Sequence, residues 1–184
     1  MCGSLSFALW VTRAVTGEDV RLGGSGHATA TNTFRQAGWA AGILVALLDI
    51  GKGFLPTYLA VKYSPVEWAI PLTAALAVAG HCWPALAGFR GGMGLATAGG
   101  TILAVYPLGF LIAAGLLIAL VLAIKHSARA SFFTGLLLAP TFWLFGGRSE
   151  LILLALGVGI VLMLRFATDW NRQYRELWLD REGQ

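Results

Sequence analysis

From Leu108 to Ile124 the chain carries no charged side chain, and similar oily stretches recur along most of its length. A hydrocarbon core about 30 Å thick takes about 20 apolar residues as one helical span. That recurrence excludes most soluble folds before any other feature is read. Composition agrees: 57% of the 184 residues are hydrophobic and only 12% are charged, against roughly 25% charged in a soluble domain. The length suits a single domain. The chain therefore reads as one membrane-embedded unit over 1–184. Its expected fold is an all-α integral membrane protein, a compact bundle of about seven transmembrane helices, some short, with Gly-rich loops at one face. The expected spans are 3–16, 38–61, 67–88, 95–107, 108–125, 132–146 and 151–167. The first is short for a full crossing, which points to a clipped first helix or a late start. Pro107 separates the fourth from the fifth, because proline kinks or ends a helix. The charged tail from Asp169 to Gln184 is expected as a helix on the membrane surface.

Lys and Arg near span ends favour the cytoplasmic side. Alternating the seven spans gathers Arg13, Arg21, Arg35, Arg90, Lys125, Arg129, Arg165, Arg172, Arg175 and Arg181 on one side. Lys62 and Arg148 fall on the other, and Lys52 stays inside a span. The expected topology has the N-terminus outside and the C-terminus in the cytoplasm. Reading 95–125 as one crossing would send Lys125 and Arg129 outward and weaken the asymmetry. The cations follow this topology, so nucleic-acid binding has no support. Cys2 and Cys82 have no zinc or redox spacing, and Cys82 reads as a small buried hydrophobe. No metal-ligand cluster, Walker-type loop or serine-hydrolase elbow is present in the sequence, and no metal or other cofactor is expected.

Three polar stretches interrupt the oily pattern. The first, GGSGHATATNTFRQAG from Gly23 to Gly38, concentrates Ser25, His27, Thr29, Thr31, Asn32, Thr33 and Arg35. Glycines let successive backbone N–H groups converge on an anion. A helix starting near Thr31 adds its positive end, and Arg35 offers a planar fork for phosphate oxygens. A solvated loop with a helix cap has the same composition. The second stretch, LLDIGKG, puts Asp49 and Lys52 on one helical face inside a span. A lone charge there costs about 2.5–3.5 kcal/mol. A pair facing the bundle interior is cheaper and is a functional candidate; its alternative is a structural ion pair. The third stretch carries His81, Pro84 and the turn Arg90-Gly91-Gly92-Met93-Gly94 feeding a new helix. A glycine turn entering a helix is again anion-binding geometry, although glycines also serve close helix packing.

Taken together, these stretches resemble the PlsY family, bacterial integral-membrane glycerol-3-phosphate acyltransferases that use acyl phosphate as donor. The family's first motif reads roughly GSGNPGATNxxR, and here Gly24-Ser25-Gly26, Ala30-Thr31-Asn32 and Arg35 match. Asp49, Lys52 and Gly53 are in register with the segment that follows. The second motif reads roughly GHxFPxxxxFKGGKGVAT, matched by Gly80-His81, Pro84, Phe89, Gly91-Gly92, Gly94 and Ala96-Thr97. The chain departs from the family at His27-Ala28-Thr29, which replaces Asn-Pro-Gly, and at Met93, which replaces the lysine of GGKG. The third motif, a His-Arg-x-Asn-x-x-Arg type, has only an echo in Asn171, Arg172 and Arg175.

The resemblance implies acyl transfer from acyl phosphate to the 1-hydroxyl of glycerol 3-phosphate, giving lysophosphatidic acid and phosphate in phospholipid synthesis. It implies a multi-pass protein of the bacterial inner membrane with cytoplasmic site loops and membrane lipid around it. The expected catalytic residues are Ser25, Arg35, Asn32 and His81. Expected substrate-binding residues are Gly24, Gly26, Thr31, Arg90, Gly91, Gly92 and Gly94. In that scheme Ser25 and the amides of Gly24–Gly26 hold the donor phosphate, and Arg35 pairs with a substrate phosphate. Asn32 orients a substrate oxygen or braces its loop, and Arg90 partly replaces the missing lysine. Two other readings stand beside it: a catalytically degenerate relative that binds lipid phosphate or a partner, and a small transporter using Asp49 and Lys52.

Overall fold

The computed structural model describes residues 2–172, and these form helices, turns and loops. Eight α-helices follow in order among them: α1 (Phe7–Thr16), α2 (Ala30–Ala37), α3 (Trp39–Tyr63), α4 (Ala69–Cys82), α5 (Leu95–Val105), α6 (Pro107–Ile124), α7 (Ser127–Leu144) and α8 (Ser149–Ala167). Short 3-10 turns lie at Cys2–Ser4, Val20–Leu22 and Ala85–Ala87.

Local chemistry sets the boundaries. Thr29 caps α2 by accepting a hydrogen bond from the Asn32 amide at 3.2 Å. Pro107 opens α6 at its first position, where its missing N–H costs nothing. Helix α4 stops at Cys82, short of the expected 88, because the residue before Pro84 is pushed out of helical geometry. Helix α7 begins at Ser127, not at 132, where the His126 side chain caps it.

Four helical segments are long and apolar enough to cross a membrane: Trp39–Tyr63, Ala69–Ala87, Pro107–Ile124 and Ser149–Ala167. Helices α1 and α5 have 10 and 11 residues. At 1.5 Å per residue each is about 15 Å long and falls well short of a full crossing. The expected spans 3–16 and 95–107 are thus helices that enter the bundle without traversing a bilayer alone. Helix α6 exposes Leu108, Leu111, Ile118 and Leu122 and buries only Gly109, the pattern of a lipid-facing helix. The core lies between α4, α5, α7 and α8, around Val78, Ile102, Leu138, Phe142, Leu154, Val158 and Leu162.

The starts of α2, α5 and α7 and the end of α4 border one cavity, lined by Ala30, Leu95, Ser127 and His81 among others. These four points therefore share one end of the bundle. Helix α6 must return to that end after α5 leaves it, so 95–125 is not a single crossing. Arg165, near the C-terminus of α8, also reaches this end through the Gly92 carbonyl. Arg148 precedes α8 and lies about 25 Å away by helix rise. Residues 168–170 form a turn after α8; the rest of the expected surface helix, with Arg175 and Arg181, falls outside the described residues.

Candidate active site

The first polar loop is built around Asn32, which is fully buried. Its Nδ2 hydrogens reach the carbonyls of Val20 at 2.8 Å, His27 at 3.0 Å and Gly23 at 3.1 Å. Its Oδ1 accepts from the Ser25 amide at 3.1 Å. One side chain thus folds the loop back on the start of α2. Gly24, at φ +55°, packs so close to this amide group that a Cβ there would collide with Oδ1. Asn32 is accordingly a brace and does not line the cavity. The Gly26 amide donates to Gly23 O at 3.0 Å. The expected anion nest from the amides of Gly24–Gly26 is therefore corrected at two of its three members, because the Ser25 and Gly26 N–H groups are spent inside the loop.

The second loop locks onto the first. The Ala28 amide donates to Gly91 O at 3.3 Å, and the Gly92 amide donates to His81 O at 3.1 Å. A Cβ on Gly92 would collide with the His81 ring and crowd the Ala28 carbonyl. Arg21 donates to Ala87 O at 2.8 Å while forming an ion pair with Asp19 at 2.6 Å. That guanidinium holds the Asp19 carboxyl below its ordinary range, chiefly through its hydrogen bonds. Phe89 has φ +59°, a costly conformation for a side-chain-bearing residue. Beyond it Arg90 is exposed and lies outside the cavity lining. Arg90, expected as a substrate-binding residue, is thus not brought together with Ser25, Arg35 and His81 in the cavity wall. Gly91 and Gly92 likewise serve the packing of the turn, whereas Gly94 does line the cavity.

A third element closes the site from above. The turn after α8 brings Asp169 Oδ2 to 3.1 Å from His27 Nε2. Arg172 Nη2 donates to Ser25 O at 2.6 Å. Arg129, in the first turn of α7, stacks on Trp170 at 5.6 Å and donates to its carbonyl at 3.4 Å. The first loop and α7 are thereby tied to one short strap.

The cavity bordered by these elements has a volume of about 240 Å³. Ser25, Thr31, Arg35, His81 and Gly94 line it as expected site residues. Three helix N-termini open onto it through Ala30 and Thr31 of α2, Leu95 and Ala96 of α5, and Ser127 of α7. Each such terminus carries a partial positive charge, roughly half a unit. An anion is the ligand this arrangement favours. A second cavity of about 270 Å³ runs between α5, α6 and α7. It is lined almost wholly by apolar residues, among them Phe110, Ala113, Leu117 and Leu138, and shares Leu95 and Ala96 with the first.

Comparison with known proteins follows this geometry. The family model described as glycerol-3-phosphate acyltransferase matches residues 1–176. The chain is 37% identical to glycerol-3-phosphate acyltransferase 1 of Moorella thermoacetica, over 89% of this chain and 83% of the relative. It is 36% identical to glycerol-3-phosphate acyltransferase of Listeria monocytogenes, over 92% and 86%. The crystal structure of PlsY (YgiH) in its glycerol 3-phosphate form superposes with a TM-score of 0.81 at 31% identity, covering 93% of this chain and 86% of that one. Its lysophosphatidic acid form superposes with a TM-score of 0.78 at 30% identity, covering 93% and 85%. The chain belongs to the glycerol-3-phosphate acyltransferase family.

Within this acyltransferase, Met93 occupies the position of the motif lysine and lines the cavity. Ser127 and Ser131 line it too, although sequence reasoning passed them over. Their signal was present as two serines one helical turn apart at a helix start. The strap of Asp169 and Arg172 had no such signal beyond the faint third-motif echo.

Proposed function

We propose that this acyltransferase moves a fatty acyl group from acyl phosphate to the 1-hydroxyl of glycerol 3-phosphate at the cavity between its two polar loops. The hydroxyl oxygen bonds to the acyl carbon, the bond from that carbon to the phosphate oxygen breaks, and inorganic phosphate leaves. The donor's own phosphate takes the hydroxyl proton, so the step needs no acyl-enzyme intermediate. The observation that carries this reading is that an anion-favouring cavity and an apolar groove lie side by side, with Leu95 and Ala96 in both walls. A substrate with a phosphate at one end and a long hydrocarbon chain at the other fits that pairing.

Arg35 is the residue proposed to pair with a substrate phosphate, with the three helix ends adding fixed positive charge. Ser25 is proposed to hydrogen-bond the donor phosphate through its hydroxyl, and His81 to border the reacting hydroxyl. Asn32 keeps the loop in shape, and Thr31 and Gly94 complete the wall. Most of the rate acceleration then comes from positioning and charge stabilisation. The polar loops are proposed to face the cytoplasm of a bacterial inner membrane. Arg21, Arg35, Arg129, Arg165 and Arg172 lie at their end of the bundle, which agrees with the positive-inside rule.

The test is lysophosphatidic acid formation and phosphate release by purified full-length protein given acyl phosphate and glycerol 3-phosphate. Turnover that falls about 100-fold or more in Ser25→Ala and Arg35→Ala supports the reading. The methionine at position 93 favours one rival, a relative that binds without turnover. That rival predicts glycerol 3-phosphate binding with no product, and a gain of activity in Met93→Lys.

A further inference from the structure

We propose that Asp49 is a positioning residue for the acyl-transfer site, acting through His81, and that Lys52 holds it in place. The proposal rests on the acyltransferase reading above. Asp49 lies in the middle of α3 and is 2% exposed, yet it borders the first cavity beside His81. Lys52 Nζ forms an ion pair with Asp49 Oδ1 at 2.8 Å, and His81 Nδ1 approaches the same oxygen at 3.6 Å. Lys52 also donates to Leu5 O at 2.8 Å and sits over the Phe7 ring at 5.6 Å. The ammonium thus pins the segment entering α1 to α3 and holds the carboxylate in place. The oxygen it holds is the one that looks at the imidazole.

Two charges at this depth are expensive to keep. A purely structural pair could be replaced by apolar side chains at little cost. What the pair adds is direction. At 3.6 Å the carboxylate and Nδ1 are in electrostatic contact and not hydrogen-bonded; the carboxylate's charge favours a proton on that nitrogen, the tautomer in which Nε2 is the acceptor. The ring cannot swing away, because Gly92 packs against it and the Gly92 amide is bonded to the His81 carbonyl. Arg165 Nε in turn donates to Gly92 O at 2.9 Å, which anchors the turn beneath the ring. The chain from Leu5 through Lys52 and Asp49 to His81 and Gly92 therefore sets one imidazole at the cavity wall in one orientation, beside one fixed charge.

The deciding experiment is a set of full-length variants assayed for lysophosphatidic acid formation, with thermal unfolding in detergent as a check on folding. Asp49→Asn alone strands the Lys52 charge and can fail to fold, so the central variant is Asp49→Asn with Lys52→Met, which keeps volume and removes both charges. The expected result is a melting temperature near that of the wild type, a kcat lower by about 100-fold, and a KM for glycerol 3-phosphate within about twofold. In a His81→Gln background the same pair of changes should lower kcat no further, since the effect passes through His81. A folded double variant with wild-type kcat overturns the proposal and leaves a structural ion pair. Equal losses with and without His81 also overturn it. If the wild type itself forms no product, the acyltransferase reading falls first and this proposal with it; wild-type turnover with an active double variant removes the proposal alone.

Discussion

The two cavities are similar in volume, about 240 and 270 Å³, yet they are made in opposite ways. The first is assembled from loops and helix starts, and its shape depends on a dense set of polar bonds from Asn32, Arg172, Arg165 and Arg21. The second is the space left between helices by small residues such as Ala98, Gly99, Ala113 and Ala114. Polar bonds are directional, so the first can hold an anion in one pose. Dispersion and hydrophobic burial have little direction, so the second can accept a chain of variable register. The molecule separates the demand for orientation from the demand for affinity and places them in two cavities that share Leu95 and Ala96 in their walls.

That division can be broken most severely at Asn32. Replacing it by Ala removes the bonds that fold the loop onto α2 and leaves the Ser25 amide without its acceptor, at a cost of about 1–3 kcal/mol for an unsatisfied group. Asn32→Ala should lower the melting temperature and abolish turnover, both read on purified protein. Retained turnover would mean that the loop has other supports. A milder change sharpens the comparison from the other side. Ala113→Phe fills part of the apolar groove, so activity should shift toward shorter acyl phosphates while glycerol 3-phosphate KM stays put. Each methylene that loses its burial weakens transition-state binding by about 0.8 kcal/mol, or about fourfold in kcat/KM. An unchanged chain-length profile would place the acyl chain elsewhere.

The smallest effect concerns pH. Asp19 is held below its ordinary range by Arg21, so it binds fewer protons folded than unfolded. Its contribution to stability is fully present above the ordinary carboxylate range and fades as pH falls through the depressed value. A melting-temperature scan should lose part of its low-pH slope in Asp19→Asn. The change will be modest, because ion pairs near the surface contribute little. An identical slope would show that the Arg21 link does not help hold the two loops.

Much of this arrangement was legible in the residues themselves. Long uncharged runs and the break at Pro107 marked the helices, because local sequence controls both signals, whereas the expected span 67–88 runs past Pro84, before which the helix in fact stops. The shared face of Asp49 and Lys52 followed from helical spacing, and their contact at 2.8 Å agrees with it. What the sequence hid was long-range closure. Ser25 and Arg172 meet across 147 positions, and no local pattern in the chain announces such a bond. The same limit explains the expectations for Arg90 and for the Gly24–Gly26 amides. Composition identified donors near the site, but only the fold decides which way each one points. Asn32 turns inward, where three carbonyls and the Ser25 amide converge on its one side-chain amide.

The account's central claim is that one substrate occupies both cavities at once. A non-hydrolysable acyl phosphonate with a photoreactive diazirine at the end of its chain tests this directly, by cross-linking and peptide mapping on the full-length protein. The account predicts labelling on α5–α7 at residues lining the groove, such as Phe110, Ala113 and Leu117, and loss of that labelling in Arg35→Ala. Labelling confined to the lipid-facing sides of α1 or α3, or insensitive to Arg35, would contradict it.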